Sequence, residues 1–491
     1  MMEVKFWKDV FGKRAELLDA LRAGRLNADV LERTLDGLPP VFTPKPLHSL
    51  GTAVFSLATG LNDDWAGSLW SALLGSLTIV VVGAWTARHF LPSTAVLAAF
   101  LCAVSRSHVM YSRSQLGEAD AIFVMLSAIC LHSMLARGAD RAGGGSCVWR
   151  AAGTGIFYGI AIGINYRCVL VLPIVCLWDL WLCSNTFRRL AGIAAGIMAV
   201  VAVIELPYQI YLWNGGTLPA GTTTYVQGFW ARLFLDLPAG EKPVTSFFQP
   251  HTGMFTSYMY LDWFWWAGGM VLGAWATLRT ACPVRRLVCM LAWLPLLGFS
   301  LVTRGDGPRA VMTSIPFFVI LSAVGWTEYR AWFEEKRVLA GIRKTVTGLI
   351  LCLVILGAFG AWQETRVESA WRNAGEWLRR EQPEMVYTTN PLAVRFYLRK
   401  DRAELIPMED TAVAGPGLWV IDRYQAEYSY PYAVLRNLAG TQRSGPERVF
   451  EGRVYPYTGL FLDWGNFMRS GNWREELKRD RMADIEVYRV P

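Results

Sequence analysis

The chain has 491 residues, 53% of them hydrophobic and 18% charged, with a net charge of +8. A soluble globular chain carries about 25% charged residues and a smaller apolar share, so an ordinary cytosolic domain and a disordered tail are both excluded. The Lys and Arg residues punctuate gaps between apolar runs instead of clustering on one polar segment. That pattern indicates cytoplasmic loops and anionic ligands, with no nucleic-acid partner.

From the N-terminus, residues 1–64 are polar and amphipathic, as in Ala15-Glu16-Leu17-Leu18-Asp19-Ala20-Leu21. About ten apolar spans follow, at 65–87, 91–106, 117–137, 148–165, 167–184, 188–210, 256–279, 284–303, 309–326 and 344–362. Most reach or approach the ~20 residues that cross ~30 Å of hydrocarbon. The short stretches 91–106 and 309–326 fit a tilted or sheltered span. An almost immediate turn at Asn165-Tyr166-Arg167 joins the fourth and fifth. The 22 Trp and 18 Tyr suit the two interfaces, where a ring sits in headgroups with its polar edge wet.

Basic residues fill alternate gaps: Arg88-His89, then Arg137, Arg141 and Arg150, then Arg188-Arg189, then Arg279 with Arg285-Arg286, then Arg330 to Lys344. These gaps are assigned to the cytoplasm. The opposite gaps, 107–116, the Tyr166 turn, 211–255 and 304–308, are then extracytoplasmic, as is everything after Trp362. Residues 1–64 also come out on the external side with no hydrophobic helix before them. The expectation is therefore a membrane helix encoded upstream of Met1, with a span count off by one as the alternative.

The tail, 363–491, changes character. Glu376 to Glu381 and Leu392 to Leu398 read as helices; Met385-Val386-Tyr387, Leu418-Trp419-Val420-Ile421 and Ile485 to Val490 read as strands. The expected organisation is 1–64 as extracytoplasmic juxtamembrane helices, 65–362 as the transmembrane bundle, and 363–491 as a soluble extracytoplasmic α/β domain. The fold class is an all-α polytopic membrane protein with that small domain appended. All nine Cys lie at or before Cys352 without a CxxC pair, which reads as small apolar packing residues.

Four charged clusters share the external side. They are Asp9 within Phe6 to Phe11, Lys45 within Pro44 to His48, the segment Arg113 to Asp120, and Arg304 to Arg309. Charges at a span boundary cost roughly 2.5–3.5 kcal/mol each if they reach the bilayer centre, so such groups usually face a cavity or a substrate. The loop 211–255, with Tyr225, Trp230, Lys242 and His251, is placed to close over them. This set suits transfer from a lipid-linked phosphate: a carboxylate takes a proton from an acceptor hydroxyl, and cations neutralise the departing phosphate. Each residue also has a plainer reading. Asp9 fits a solvated helix-cap acid, Lys45 an interfacial lysine, Arg113 with Glu118 an internal ion pair, and Arg309 a headgroup anchor. Glu205 and Asp262, at span ends, could bind a ligand or simply sit at the interface. His48, His108, His132 and His251 share no metal-ligand spacing, and assistance by a divalent ion stays open.

The order of these segments resembles the GT-C glycosyltransferases of the protein O-mannosyltransferase and lipid A aminoarabinose transferase type, glycosyltransferase family 39. The stretch from Asp9 to Gly24 is similar to the family's acidic motif and the helix after it. Lys45-Pro46-Leu47 resembles its Lys-Pro-Pro-Leu, and Asp64-Trp65 to Ala87 its second helix. Ser112-Arg113 with Glu118 resembles its Ser-Arg followed by an acid, and Gly307-Pro308-Arg309 to Pro316 its late Pro-Arg-Tyr segment. There are departures: the family's first helix has no counterpart, Val10 stands where the family has its second acid, one proline of the lysine motif is lost, and Ala310 replaces the tyrosine.

The resemblance implies Asp9 and Glu118 as catalytic residues, with Asp9 the base, and Lys45, Arg113, Asp120 and Arg309 as substrate-binding residues. It implies a polyprenyl-phosphate sugar donor, a protein, lipid or glycan acceptor, and a place in the cytoplasmic membrane. A transporter or flippase of a lipid-linked or anionic solute, and a non-catalytic relative with the same fold, are the competing expectations. Transporters of this size usually show internal repeats, and none is visible here.

Overall fold

The computed structural model describes residues 7–8, 10–23, 45–61, 63–113, 117–138, 144–182, 186–213, 215, 223–233, 262, 269–280, 282–302, 312–335, 340–365, 370–389, 394, 398, 404–407, 416–422, 447–452 and 485–490. The chain divides into two compact units, Met1–Ala361 and Trp362–Pro491.

The first unit is helical. After α1 (Arg14–Arg22) comes α2 (Pro46–Thr59), which begins with proline in its first turn, where the missing N–H is no loss. It stops at Gly60, whose left-handed φ of 70° returns its N–H to Ser56 O. Then follow α3 (Asp63–His89), α4 (Pro92–Val104), α5 (Arg106–Arg113), α6 (Glu118–Gly138) and α7 (Gly144–Ile164). A 3-10 turn, Tyr166–Leu170, runs directly into α8 (Val171–Leu182). It is capped by Asn165, whose side chain accepts from Arg167 N. Next are α9 (Thr186–Trp213), α10 (Tyr225–Leu233), α11 (Gly269–Leu278), α12 (Pro283–Val302), α13 (Ile315–Glu335) and α14 (Ala340–Glu364), whose last three residues belong to the second unit.

Among the described residues, three helical stretches are long and apolar enough to cross a membrane: Trp65–His89, Glu118–Ala136 and Thr186–Ile210. The pair α4–α5, bent by 56°, makes a fourth if it is one broken span. Large apolar side chains stand on the outside of these rods, with Val96 72% exposed, Val203 70% and Val80 64%. Such a surface is unfavourable in water and ordinary against lipid tails. The gap 107–116, expected as a loop, starts instead as helix α5.

Small residues set the closest helix approach. Gly155 and Gly159 on α7 recur every four residues and so share a face. A Cβ on Gly159 would come within 2.7 Å of Val200 Cβ, one on Gly155 would collide with the Ile193 carbonyl, and one on Gly196 of α9 with the Ala152 carbonyl. Backbone therefore lies on backbone, the packing that membrane helices use where apolar burial gives no advantage over lipid.

The same helices share a buried polar network. Arg189 of α9 donates through Nε to Asp179 Oδ2 at 2.9 Å and through Nη2 to Oδ1. His132 of α6 lies 3.1 Å from Asp179 Oδ2 and 3.2 Å from the Tyr158 hydroxyl of α7. Arg189 is completely buried while Arg188 beside it is exposed. Both arginines read as loop cations in the sequence, yet Arg189 is an internal partner that neutralises Asp179. Removing either would strand a buried charge.

The second unit contains α15 (Ala370–Glu381) and five strands: β1 (Met385–Thr388), β2 (Glu404–Pro407), β3 (Gly417–Asp422), β4 (Glu447–Gly452) and β5 (Ile485–Val490). Their order is β2-β1-β3-β5-β4, with β1 parallel to β2 and β3, and β5 antiparallel to β3 and β4. Ala370, Ala374 and Leu378, one turn apart on α15, pack with Val386, Val420, Ile485 and Val487 as the core.

Candidate functional site

The site is built where the start of α2 meets the start of α6. Lys45 is the N-cap of α2, and its side chain makes no cap to its own helix. Instead Nζ donates to Glu118 Oε1 at 3.0 Å. The Glu118 side chain is 0% exposed and that of Lys45 is 20% exposed, so the carboxylate is enclosed and the lysine that meets it is partly open.

His48 lies one turn beyond Lys45 on the same face of α2. Its Nδ1 is 2.8 Å from Asp120 Oδ2, which also accepts from Trp70 Nε1 of α3 at 2.8 Å. Asp120 thus ties three helices together. Its other oxygen, Oδ1, is buried and meets no partner among the described residues. A buried acceptor in that condition suits a hydroxyl or N–H from a bound molecule.

Gly117 makes this junction sterically feasible. Its φ of 79° is left-handed, and a Cβ there would come 2.9 Å from His48 Cγ. Glu118 and Asp120 then fall in the first turn of α6, where the positive end of the helix dipole favours acids.

Arg113 is the last residue of α5 and is half-buried. Just before it, Ser112 packs on Gly75 of α3, so closely that a Cβ on Gly75 would come 2.6 Å from Ser112 Cβ. The N-terminal segment reaches the other end of α2, where Lys8 Nζ donates to Ser56 Oγ at 3.1 Å. Asp9 itself, with Arg304, Asp306, Arg309, Lys242 and His251, lies outside the described residues.

The loop 211–255 is anchored beside the site at its described part. Thr224 and Gln227 cap α10 reciprocally, with Thr224 N to Gln227 Oε1 and Gln227 N to Thr224 Oγ1 both at 3.3 Å. Glu205 of α9 accepts from Val226 N at 2.9 Å. Tyr225 donates to the Ile162 carbonyl at 3.1 Å, and burial raises its phenol above the ordinary value, which keeps the proton needed for that bond. Tyr225, Ile204 and Tyr208 form an apolar cluster that Leu47 joins. Glu205, read from sequence as a ligand residue or a plain interfacial acid, here holds the first turn of α10.

The structure therefore brings Lys45, Glu118 and Asp120 together and adds His48 and Trp70, which the sequence reading did not place there. The spacing of Lys45 and His48 on one helical face was the available signal, but His48 was weighed only as a metal ligand. Among the described residues no group of three His, Cys, Asp or Glu side chains could hold a metal ion.

Residues 44–211 match the family described as dolichyl-phosphate-mannose-protein mannosyltransferase. No curated protein matches the chain. Among solved structures, the chain is similar to ArnT from Cupriavidus metallidurans bound to undecaprenyl phosphate, at 16% identity and TM-score 0.56, over 81% of this chain and 84% of that one. The apo form of ArnT gives 18% identity and TM-score 0.54 over the same shares. The archaeal oligosaccharyltransferase AglB from Archaeoglobus fulgidus, in complex with an inhibitory peptide and a dolichol-phosphate, gives 14% identity and TM-score 0.52, over 80% of this chain and 63% of that one. The chain has the fold of these proteins, and the resemblance read from its motifs between residues 44 and 211 stands. The matched segment contains Lys45, Arg113, Glu118 and Asp120.

Proposed function

We propose that a chain with this fold and this family segment transfers a sugar from a polyprenyl-phosphate donor to an acceptor hydroxyl at the outer face of the cytoplasmic membrane. The observation that carries the reading is the Lys45–Glu118 pair at 3.0 Å, its carboxylate fully buried and its lysine side chain partly exposed. Two structures of similar fold hold a polyprenyl phosphate, undecaprenyl phosphate in ArnT and a dolichol-phosphate in AglB. A phosphate on an isoprenoid chain needs cations at the bilayer surface and an apolar groove below, and a partly exposed lysine backed by exposed apolar helices suits both.

In this reading Asp9 takes the proton from the acceptor hydroxyl. The acceptor oxygen attacks the anomeric carbon opposite the phosphate, a new C–O bond forms, and the bond to the phosphate oxygen breaks with its electron pair. The anomeric centre inverts, and the charge released on the polyprenyl phosphate is met by Lys45, Arg113 and Arg309. Glu118 holds Lys45 in place. Asp120 Oδ1 accepts a hydroxyl from the bound sugar. The remaining apolar helices complete about ten spans, and residues 363–491 stand outside the membrane.

The experiment is transfer from radiolabelled undecaprenyl-phosphate sugars in vesicles carrying wild-type protein or the variants Lys45→Ala and Glu118→Gln, at matched expression. The expected fall is about 10²-fold or more for Lys45→Ala, the effect of taking one preorganised cation away from the charge that develops in a transition state, and smaller for Glu118→Gln, whose amide oxygen still accepts from Lys45. Undiminished transfer in both variants discards the assigned site. Uptake of the lipid-linked sugar without its release would point to a transporter instead.

A further inference from the structure

α5 is a short helix, and its last residue is Arg113. Eight residues are too few to hold helical form alone, because isolated helices below ~12 residues are marginal. What secures this one can be traced donor by donor at its start. The first four N–H groups of a helix have no intrahelical acceptor. Ser105 N reaches back to Cys102 O at 3.4 Å, and His108 N is met by Ser105 Oγ at 3.3 Å. The two between them go to one side chain far along the chain. Arg106 N donates to Asp262 Oδ1 at 2.8 Å and Ser107 N to Asp262 Oδ2 at 3.2 Å. The hydroxyls of Ser105, at 3.0 Å, and Ser107 also donate to Asp262 Oδ2. Asp262 is only 1% exposed. Its two oxygens therefore accept the two N–H groups at the start of α5 that would otherwise lack an acceptor at the 56° break from α4, and its charge lies at the positive end of the α5 dipole.

We infer that Asp262 is a positioning residue for Arg113: it fixes the start of α5, Gly75 against Ser112 fixes the end, and the place of the arginine at the end of that helix is thereby set. This role rests on the reading that Arg113 meets the donor phosphate. A residue of the downstream part of the chain thus sets the geometry of a motif that belongs to the N-terminal half. Asp262 touches no reacting atom. Its effect passes through α5, so it should change what Arg113 does and nothing that does not depend on Arg113.

The test is made on the full chain in nanodiscs, with undecaprenyl phosphate as the probe. Asp262→Asn, Asp262→Glu, Arg113→Ala and the double variant Asp262→Asn/Arg113→Ala are compared for binding, and hydrogen exchange is read over residues 106–113. Asp262→Asn should speed exchange in α5 but not in α6, and should weaken binding by about 10-fold, the scale of losing one hydrogen bond to a charged group. In the Arg113→Ala background it should weaken binding no further, and Asp262→Glu, which keeps two acceptor oxygens, should recover part of the affinity. If Asp262→Asn fails to fold, Ser107→Ala, which removes one hydroxyl donor and keeps both backbone bonds, should show the same pattern at smaller amplitude. Equal weakening in both backgrounds, or unchanged exchange in α5, overturns the inference. A wild-type chain that does not bind undecaprenyl phosphate at all overturns the functional reading and the positioning role with it, while the exchange data still report whether the clamp exists.

Discussion

Four carboxylates in this chain show how one residue type acquires different work from its surroundings. Glu118 is enclosed and meets a partly open lysine. Asp120 ties His48 and Trp70 and keeps one oxygen unengaged among the described residues. Asp179 neutralises Arg189, and Asp262 closes the end of a helix. Only Asp120 combines full burial with an acceptor that no described protein group meets, which is why a sugar hydroxyl is assigned to it. Asp120→Ala should therefore lower transfer and also destabilise the bundle. It leaves the Trp70 and His48 donors buried without an acceptor, at about 1–3 kcal/mol for each. The check is a fall in unfolding temperature alongside the transfer assay. Glu118→Gln should lower transfer less than Lys45→Ala and with a smaller shift in unfolding temperature, because an amide oxygen still accepts from Lys45.

At the scale of elements, two contrasting devices hold the helices. One is close backbone approach, where α7 and α9 meet through Gly155, Gly159, Gly192 and Gly196. The other is a polar tie, where a buried acid links elements distant in sequence. The first gives no tolerance for added volume. Gly196→Val should force the pair apart and cost about 1–3 kcal/mol, as overpacking of a tight interface does. Thermal unfolding in detergent checks it, and an unfolding temperature equal to wild type would mean the two helices do not touch through their backbones. The disturbance should also reach the site, because α9 carries Ile204 and Tyr208, against which Leu47 packs beside Lys45.

At the scale of the whole molecule, the arrangement of charges makes a statement about sides of the membrane. Lys45, Glu118 and Asp120 share one end of the bundle, while Arg188 belongs to a gap assigned to the opposite side. In a chain whose exposed Cys352 has been replaced, a cysteine at Thr59 should be labelled by an impermeant maleimide from outside intact cells. One at Phe187, which is 86% exposed, should be labelled only after the membrane is opened. Labelling of both from the same side would reject the topology on which the donor is placed.

The membrane class and the mostly helical build were legible in the sequence, as were the charged segments from which a site is proposed. Each depends on a local property: apolar run length, basic gaps, Pro at the start of α2, or acids in the first turn of α6. Lys45, Arg113, Glu118 and Asp120 could be singled out because charge beside an apolar run is conspicuous in one dimension. Pairing was not legible. That Lys45 meets Glu118, that His48 and Trp70 converge on Asp120, that Arg189 is buried while Arg188 is not, and that Asp262 completes α5 are facts about segments ten to more than a hundred positions apart. Periodicity reports which face of a helix is apolar but not which helix lies opposite. Glycine spacing and interhelical hydrogen bonds decide that, and they exist only once the helices have packed.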